Sequence, residues 1–103
     1  MANLYKTLMV EVTTLGSDID VFTSPAGGCI MRHMMIYAKS NHTNVYVKYD
    51  DRTTDVNIAT EAAISATDTW VPFASPLGMQ ATHRLSVNTN EAVNVLITYV
   101  EFS

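Results

Sequence analysis

The chain has 103 residues, which suits one domain, and we expect a single domain over residues 1–103. Its hydrophobic fraction is 48%, and only 16% of its residues are charged, a balance that argues against intrinsic disorder. The net charge is −4 and the six Lys and Arg residues are scattered along the sequence. The chain therefore lacks the clustered positive charge that binding to nucleic-acid phosphates requires, and we expect no nucleic-acid partner.

The cysteine content and the apolar runs bear on the compartment. The single cysteine, Cys29, excludes a disulfide within the chain. Small domains in oxidising compartments often depend on disulfides, so we expect folding in a reducing cytoplasm. The start of the sequence lacks the apolar segment of a signal peptide. The longest apolar run, Met34 to Ala38, is far shorter than the ~20 residues that cross a bilayer, so we expect no membrane partner.

Short segments with strand-forming residues follow one another along the whole chain. In chain order these segments are Leu4 to Thr14, Asp18 to Thr23, Cys29 to Lys39, Val45 to Asp50, Val56 to Ala66, Trp70 to Phe73, Ala81 to Asn88 and Glu91 to Phe102. The last segment is the clearest, because its residues suit a pleated strand on both faces. Read with period two, one face carries Val93, Val95, Ile97 and Tyr99, and the other carries Ala92, Asn94, Leu96, Thr98, Val100 and Phe102. We therefore predict an all-β fold, an antiparallel β-sandwich of jelly-roll type with about eight short strands.

Three of these segments have features of their own. Cys29 to Lys39 is apolar on both faces, which indicates a strand that is central in the sandwich or covered by another subunit. Val56 to Ala66 is interpreted as a strand, although its second half, Glu61 to Ala66, also allows a short helix. Trp70 to Phe73 is predicted to be an edge strand, because Pro72 has no N–H to donate to a ladder.

Two Ser-Pro-x-Gly segments, at residues 24–27 and 75–78, predict tight turns. In each, the proline (Pro25 or Pro76) is expected to preset φ at the first central position of the turn. The glycine (Gly27 or Gly78) tolerates backbone angles that other residues avoid.

No combination of side chains predicts catalysis. The histidines are not spaced as metal ligands, and the sequence contains no Gly-x-Ser-x-Gly and no phosphate-binding glycine loop. Asp50, Asp51 and Asp55 could supply oxygen ligands for Ca²⁺, but the segment has no glycine bend and contains Arg52, which favours a solvated hairpin tip. We expect a protein that is not an enzyme and has no cofactor or metal site.

Contact with a partner is the role that the remaining apolar residues suggest. Met34 is assigned to the core, and by alternation at least one of Met31 and Met35 should face outward. Exposed aromatic and methionine side chains on a small domain often mark contact surfaces. The interface candidates are Met31, Met35, Tyr46, Trp70, Phe73 and Phe102.

Several of these segments together resemble a known group of proteins. The segments are Met-Ala-Asn at the start, Val21 to Gly27, Ile36 to Ala38, Val45 to Tyr49 and Val95 to Phe102. Thr-Ser-Pro-Ala-Gly at 23–27 and Thr-Tyr-Val-Glu-Phe at 98–102 are the sharpest parts. The pattern resembles the small β-sandwich structural proteins of tailed-bacteriophage virions.

The resemblance implies a non-enzymatic virion component, assembled in the cytoplasm of the bacterial host. We expect a capsid decoration (cement) protein that binds and stabilises the shell of major capsid proteins. Such a protein is expected to be a homo-oligomer, with a trimer favoured. Two alternatives stay open: a tail or neck accessory subunit that contacts other virion proteins, and a glycan-binding β-sandwich in which Trp70 and Tyr46 stack on sugars.

Overall fold

A computed structural model describes residues 4–73 and 75–102, and this part of the chain forms nine strands and no helix. The Met-Ala-Asn start of the sequence lies outside the described residues. The strands are β1 (Leu4–Val12), β2 (Ile19–Thr23), β3 (Cys29–Ala38), β4 (Thr43–Asp50), β5 (Asp55–Ile64), β6 (Thr69–Trp70), β7 (Leu77–Met79), β8 (Arg84–Thr89) and β9 (Val93–Glu101).

The strands form two antiparallel sheets that pack face to face. The first sheet has the order β1-β9-β3-β6, with β7 also paired to β3, and the second has the order β2-β8-β4-β5. The chain passes repeatedly from one sheet to the other, and its first and last strands pair with each other. This arrangement is a jelly roll, so the predicted all-β sandwich is confirmed.

The core lies between the sheets and follows the period-two alternation of the strands. In β9, Val93, Val95 and Ile97 are fully buried, while Asn94 and Leu96 on the other face are half-buried. In β4 and β8, Val45, Val47 and Val87 face the first sheet in the same way. The alternation predicted for the last strand is therefore confirmed.

A bulge in β3 corrects the expected facing of one methionine. The β3–β9 register shifts between Met31 and His33, so the alternation changes parity at that point. Met31 comes before the shift and Met34 after it, and both are fully buried. The prediction that Met31 is an interface residue is therefore wrong, because it belongs to the core.

The first turn forms where it was predicted, but its residues occupy other positions. The N–H of Gly28 donates to the carbonyl of Pro25 at 2.9 Å, so Pro25 is the first residue of the turn rather than its first central residue. Ala26 and Gly27 are the central residues. Gly27 is needed because a Cβ there would lie 2.4 Å from the backbone oxygen of Phe102.

The second predicted turn is wrong. Gly78 lies inside β7, opposite Ile30 of β3, and Pro76 immediately precedes that strand. Pro76 therefore stands where a missing N–H removes no ladder hydrogen bond. This short strand was not predicted from the sequence.

The middle of the chain is extended. Asp55–Ile64 is a strand, which confirms the strand interpretation and excludes the helix over its second half. The predicted edge strand at Trp70 to Phe73 is shorter than expected, since only Thr69–Trp70 pairs with β3.

Candidate interaction surface

The outer face of the first sheet carries an apolar row that runs across three strands. In the β1–β9 register Met9 lies opposite Leu96, and in the β3–β9 register Met35 lies opposite the same residue. Directly opposed side chains lie on the same face and contact each other. We call Met9, Leu96 and Met35 the apolar row.

The apolar row lines a shallow groove. Tyr37 and Asn94 complete its walls, and its volume is about 320 Å³. Met9 is 67% exposed, while Leu96 and Met35 are half-buried. The groove offers apolar and polarizable side chains but no charged group, so it suits contact with an apolar surface.

β1 adds more exposed apolar surface beside the groove. Tyr5 is 76% exposed on the outer face. On the inner face, Leu4 is 45% and Leu8 is 37% exposed, although the same face of β1 is half-buried at Val10 and fully buried at Val12. The second sheet therefore covers only the last part of β1, and the apolar side chains of its first part are uncovered on both faces.

Two lysines beside this surface are paired with glutamates. Lys6 Nζ lies 2.7 Å from Glu101 Oε2, and Lys39 Nζ lies 2.5 Å from Glu11 Oε2. The hydrogen bond to Glu101, supported by its negative charge, raises the pKa of Lys6 above its ordinary value. Both pairs are partly exposed, so each contributes little to stability, but together they leave β1 without net charge.

The second sheet carries a cluster of paired charges, although its strands also expose Tyr46, Val56 and Ile58. Arg84 bridges Asp20 at 2.9 Å and Asp50 at 2.7 Å, and Asp18 accepts hydrogen bonds from Asn88 and Lys48 at 2.9 and 3.0 Å. The bond from Asn88, followed by that from Lys48, holds the pKa of Asp18 below its usual range. The charged groups of this cluster satisfy one another, which makes the cluster a solvated surface.

The acidic segment between β4 and β5 is a hairpin tip, as the sequence favoured. Asp51 accepts hydrogen bonds from the backbone N–H groups of Thr53 and Thr54, and Asp50 accepts one from Arg52. These backbone donors hold the pKa of both carboxyl groups below the usual range. The carboxylates are thus occupied in forming the turn.

Among residues 4–73 and 75–102, no group of three or more His, Cys, Asp or Glu side chains is arranged to hold a metal ion. Tyr49 Oη and His83 Nδ1 lie 2.6 Å apart, with their rings edge to face. Cys29 is buried, which raises the pKa of its thiol. In the part of the chain that the structure describes, no helix is long and apolar enough to span a membrane.

The interface candidates chosen from the sequence do not form one surface. Met35 lies in the apolar row, whereas Tyr46, 43% exposed, lies on the outer face of the second sheet. Trp70 and Phe73 are half-buried and pack against the core. Phe102 is half-buried, and its N–H donates to the carbonyl of Gly28 at 3.2 Å. For the candidates other than Met31, a contact role stays a prediction.

Sequence reasoning missed the residues that complete the surface, above all Tyr5, Met9 and Leu96. A signal was present in the sequence, because the first strand places apolar residues on both of its faces between Leu4 and Val10, interrupted only by Lys6 and Thr7. The pairing of the first and last strands, which joins Met9 to Leu96, could not be deduced from either strand alone.

No protein-family model matches the chain, and no curated protein matches it. Among solved structures, the fold is similar to that of a chain from the work described as "Bacillus endospore appendages form a novel family of disulfide-linked pili". The TM-score is 0.56 at 7% sequence identity, over 97% of this chain and 89% of that chain. At this identity the likeness concerns the fold alone.

Proposed function

We propose that this chain is a non-enzymatic structural subunit of a tailed-bacteriophage virion, a decoration protein that binds and stabilises the shell of major capsid proteins. The apolar row is proposed as the contact with the shell. The proposal rests on the sequence resemblance for the virion and on the surface of the first sheet for the contact.

The observation that carries the contact is the difference between the two outer faces. The second sheet carries a cluster of ion pairs beside the exposed Tyr46, whereas the first sheet exposes Met9 and Tyr5 beside an apolar groove. Burying apolar area contributes ~25 cal/mol per Å², so a partner that covers the apolar row gains free energy from the burial of Met9 and its neighbours.

The same observation bears on the alternatives. A tail or neck subunit would use the same surface against another virion protein and differ in copy number. The glycan-binding alternative loses support, because Tyr46 lies on the outer face of the second sheet while Trp70 belongs to the first sheet and packs against the core. These two rings do not form one platform for a sugar.

A self-assembling fibre is a second candidate, favoured by the fold likeness to the chain from the pilus work. That work describes pili linked by disulfides. Here the single cysteine, Cys29, is only 1% exposed, so copies of this chain would have to join through non-covalent contacts.

Co-sedimentation with expanded shells of the phage that encodes the chain tests the proposed contact. The wild-type protein should bind the shells and raise the temperature at which they disrupt. Met9→Asp should weaken binding at least about tenfold, because it places a charge in the apolar row. Val56→Asp, a matched change at a 56% exposed residue of the second sheet, should bind as the wild type does.

No binding by the wild-type protein would refute the decoration function. Equal binding by the two variants would refute the apolar row as the contact. Circular dichroism of both variants establishes that each is folded before binding is compared.

A further inference from the structure

One edge strand differs from the others in this fold. No described strand pairs with the second edge of β1, which leaves its outward N–H and C=O groups without ladder partners. The β1–β9 ladder runs over nine residues without a register shift. The ladders of the edge strands β2 and β5 contain shifts, and β6 and β7 have only two and three residues. Bulges and short length protect sheet edges from pairing, and β1 has neither.

We infer that the free edge of β1 pairs antiparallel with β1 of a second copy, around a two-fold axis at Thr7. This inference rests on the proposed function, in which the chain works inside an assembly. It names a contact along the edge of β1 that adjoins the apolar row and shares Met9 with it. The pair would join the two first sheets into one continuous sheet.

The second copy is the occupant because the strand is complementary to itself. Two-fold antiparallel pairing places each residue opposite one on the same face of the sheet. With Thr7 at the axis, Tyr5 lies opposite Met9 of the second copy, and Leu4 lies opposite Val10. These are four of the five exposed or half-buried apolar residues of β1, so most of the apolar residues of the strand gain an apolar neighbour in the second copy.

The charges favour this register over its neighbours. An axis at Lys6 would place two lysines opposite each other, and an axis at Leu8 would place Tyr5 opposite Glu11. With the axis at Thr7, Lys6 lies opposite Leu8 of the second copy and keeps its ion pair with Glu101. Most acidic residues lie away from this edge, on or beside the second sheet: Asp18, Asp20, Asp50, Asp51, Asp55 and Glu61.

The register is tested with a cysteine at the axis. Directly opposed residues in antiparallel strands have Cα atoms roughly 4.5–5.5 Å apart, which a disulfide can bridge. Thr7→Cys should therefore give a covalent dimer under mild oxidation of the purified full chain. Thr53→Cys, at the exposed tip of the β4–β5 hairpin, is the control and should stay mainly uncrosslinked.

Charge variants at Leu8 test the same register without a crosslink. The two-fold axis creates two pairs in which residue 8 of one copy lies opposite Lys6 of the other. Leu8→Lys places two like charges in each pair, whereas Leu8→Glu places opposite charges there. The dissociation constant of the dimer, measured by analytical ultracentrifugation, should be about tenfold higher for Leu8→Lys than for Leu8→Glu. Both variants change the same exposed position, so a loss of folding should affect them alike.

A dimer with selective crosslinking at residue 7 supports the inference. A monomer at all concentrations, a trimer without the crosslink, or equal behaviour of the two Leu8 variants overturns it. These experiments contain no shells, so their failure is separate from failure of the decoration function. Shell binding by a monomer would leave that function intact.

Discussion

Gly27 lies where the end of β9 crosses the first turn closely. A Cβ added at this position would lie 2.4 Å from the backbone oxygen of Phe102, a contact that neither side can relieve by rotating a side chain. At Gly78 the space around an added Cβ is open to 4 Å, and no positive φ is required. The two glycines therefore have different roles, although each follows a Ser-Pro pair in the sequence.

Gly27→Ala should lower the free energy of unfolding by about 1–3 kcal/mol, because the backbone must move to relieve the clash. Gly78→Ala should change it by less than about 1 kcal/mol, and alanine in a strand can even stabilise. Urea unfolding followed by tryptophan fluorescence at Trp70 measures both. Equal losses of unfolding free energy in the two variants would contradict the close approach of the Phe102 backbone to Gly27.

At the scale of the strand, alternation predicted which segments form strands but neither how they pair nor where the alternation breaks. The facing of β9 was correct because its ladder with β1 is continuous from Val93 to Glu101. The facing of Met31 in β3 was predicted wrongly, because one extra residue after Met31 reverses which face the following side chains occupy. A bulge of this kind depends on the partner strand, which the local sequence does not contain.

The strand β7 shows a second limit of local patterns. Pro76 and Gly78 are typical of turns, yet Leu77–Met79 pairs with β3. Three residues are enough to extend the sheet when Met79 buries its side chain, 4% exposed, in the core. The interaction surface was missed for a related reason, since it combines three strands that are distant in sequence.

The burial of Met31 and the partial exposure of Met35 predict different effects of alanine at these two positions of β3. Met31→Ala should lower the free energy of unfolding by about 2–5 kcal/mol, since it empties a site that is 0% exposed. Met35→Ala should cost less than about 1.5 kcal/mol, because Met35 is half-buried on the outer face. Urea denaturation of the two variants gives the comparison. A larger loss at Met35 would contradict the bulge between Met31 and His33.

At the scale of the whole molecule, the two sheets differ in the side chains that they expose. The second sheet carries ion pairs such as Lys48–Asp18 on its outer face, and the first carries the apolar row and the uncovered start of β1. Apolar side chains that lie side by side on an exposed face, as in the apolar row, are typical of a surface that contacts a partner. The fold alone does not identify the assembly, because jelly rolls serve many functions.

The copy number of the chain in purified virions tests the central proposal most directly. Quantitative mass spectrometry would compare this chain with the major capsid protein of the same particles. The decoration function predicts one copy for each shell subunit or for a small integer number of them, since the chain would follow the shell lattice. A few copies per hundred shell subunits would contradict decoration and favour the neck or tail, and complete absence would contradict a virion role altogether.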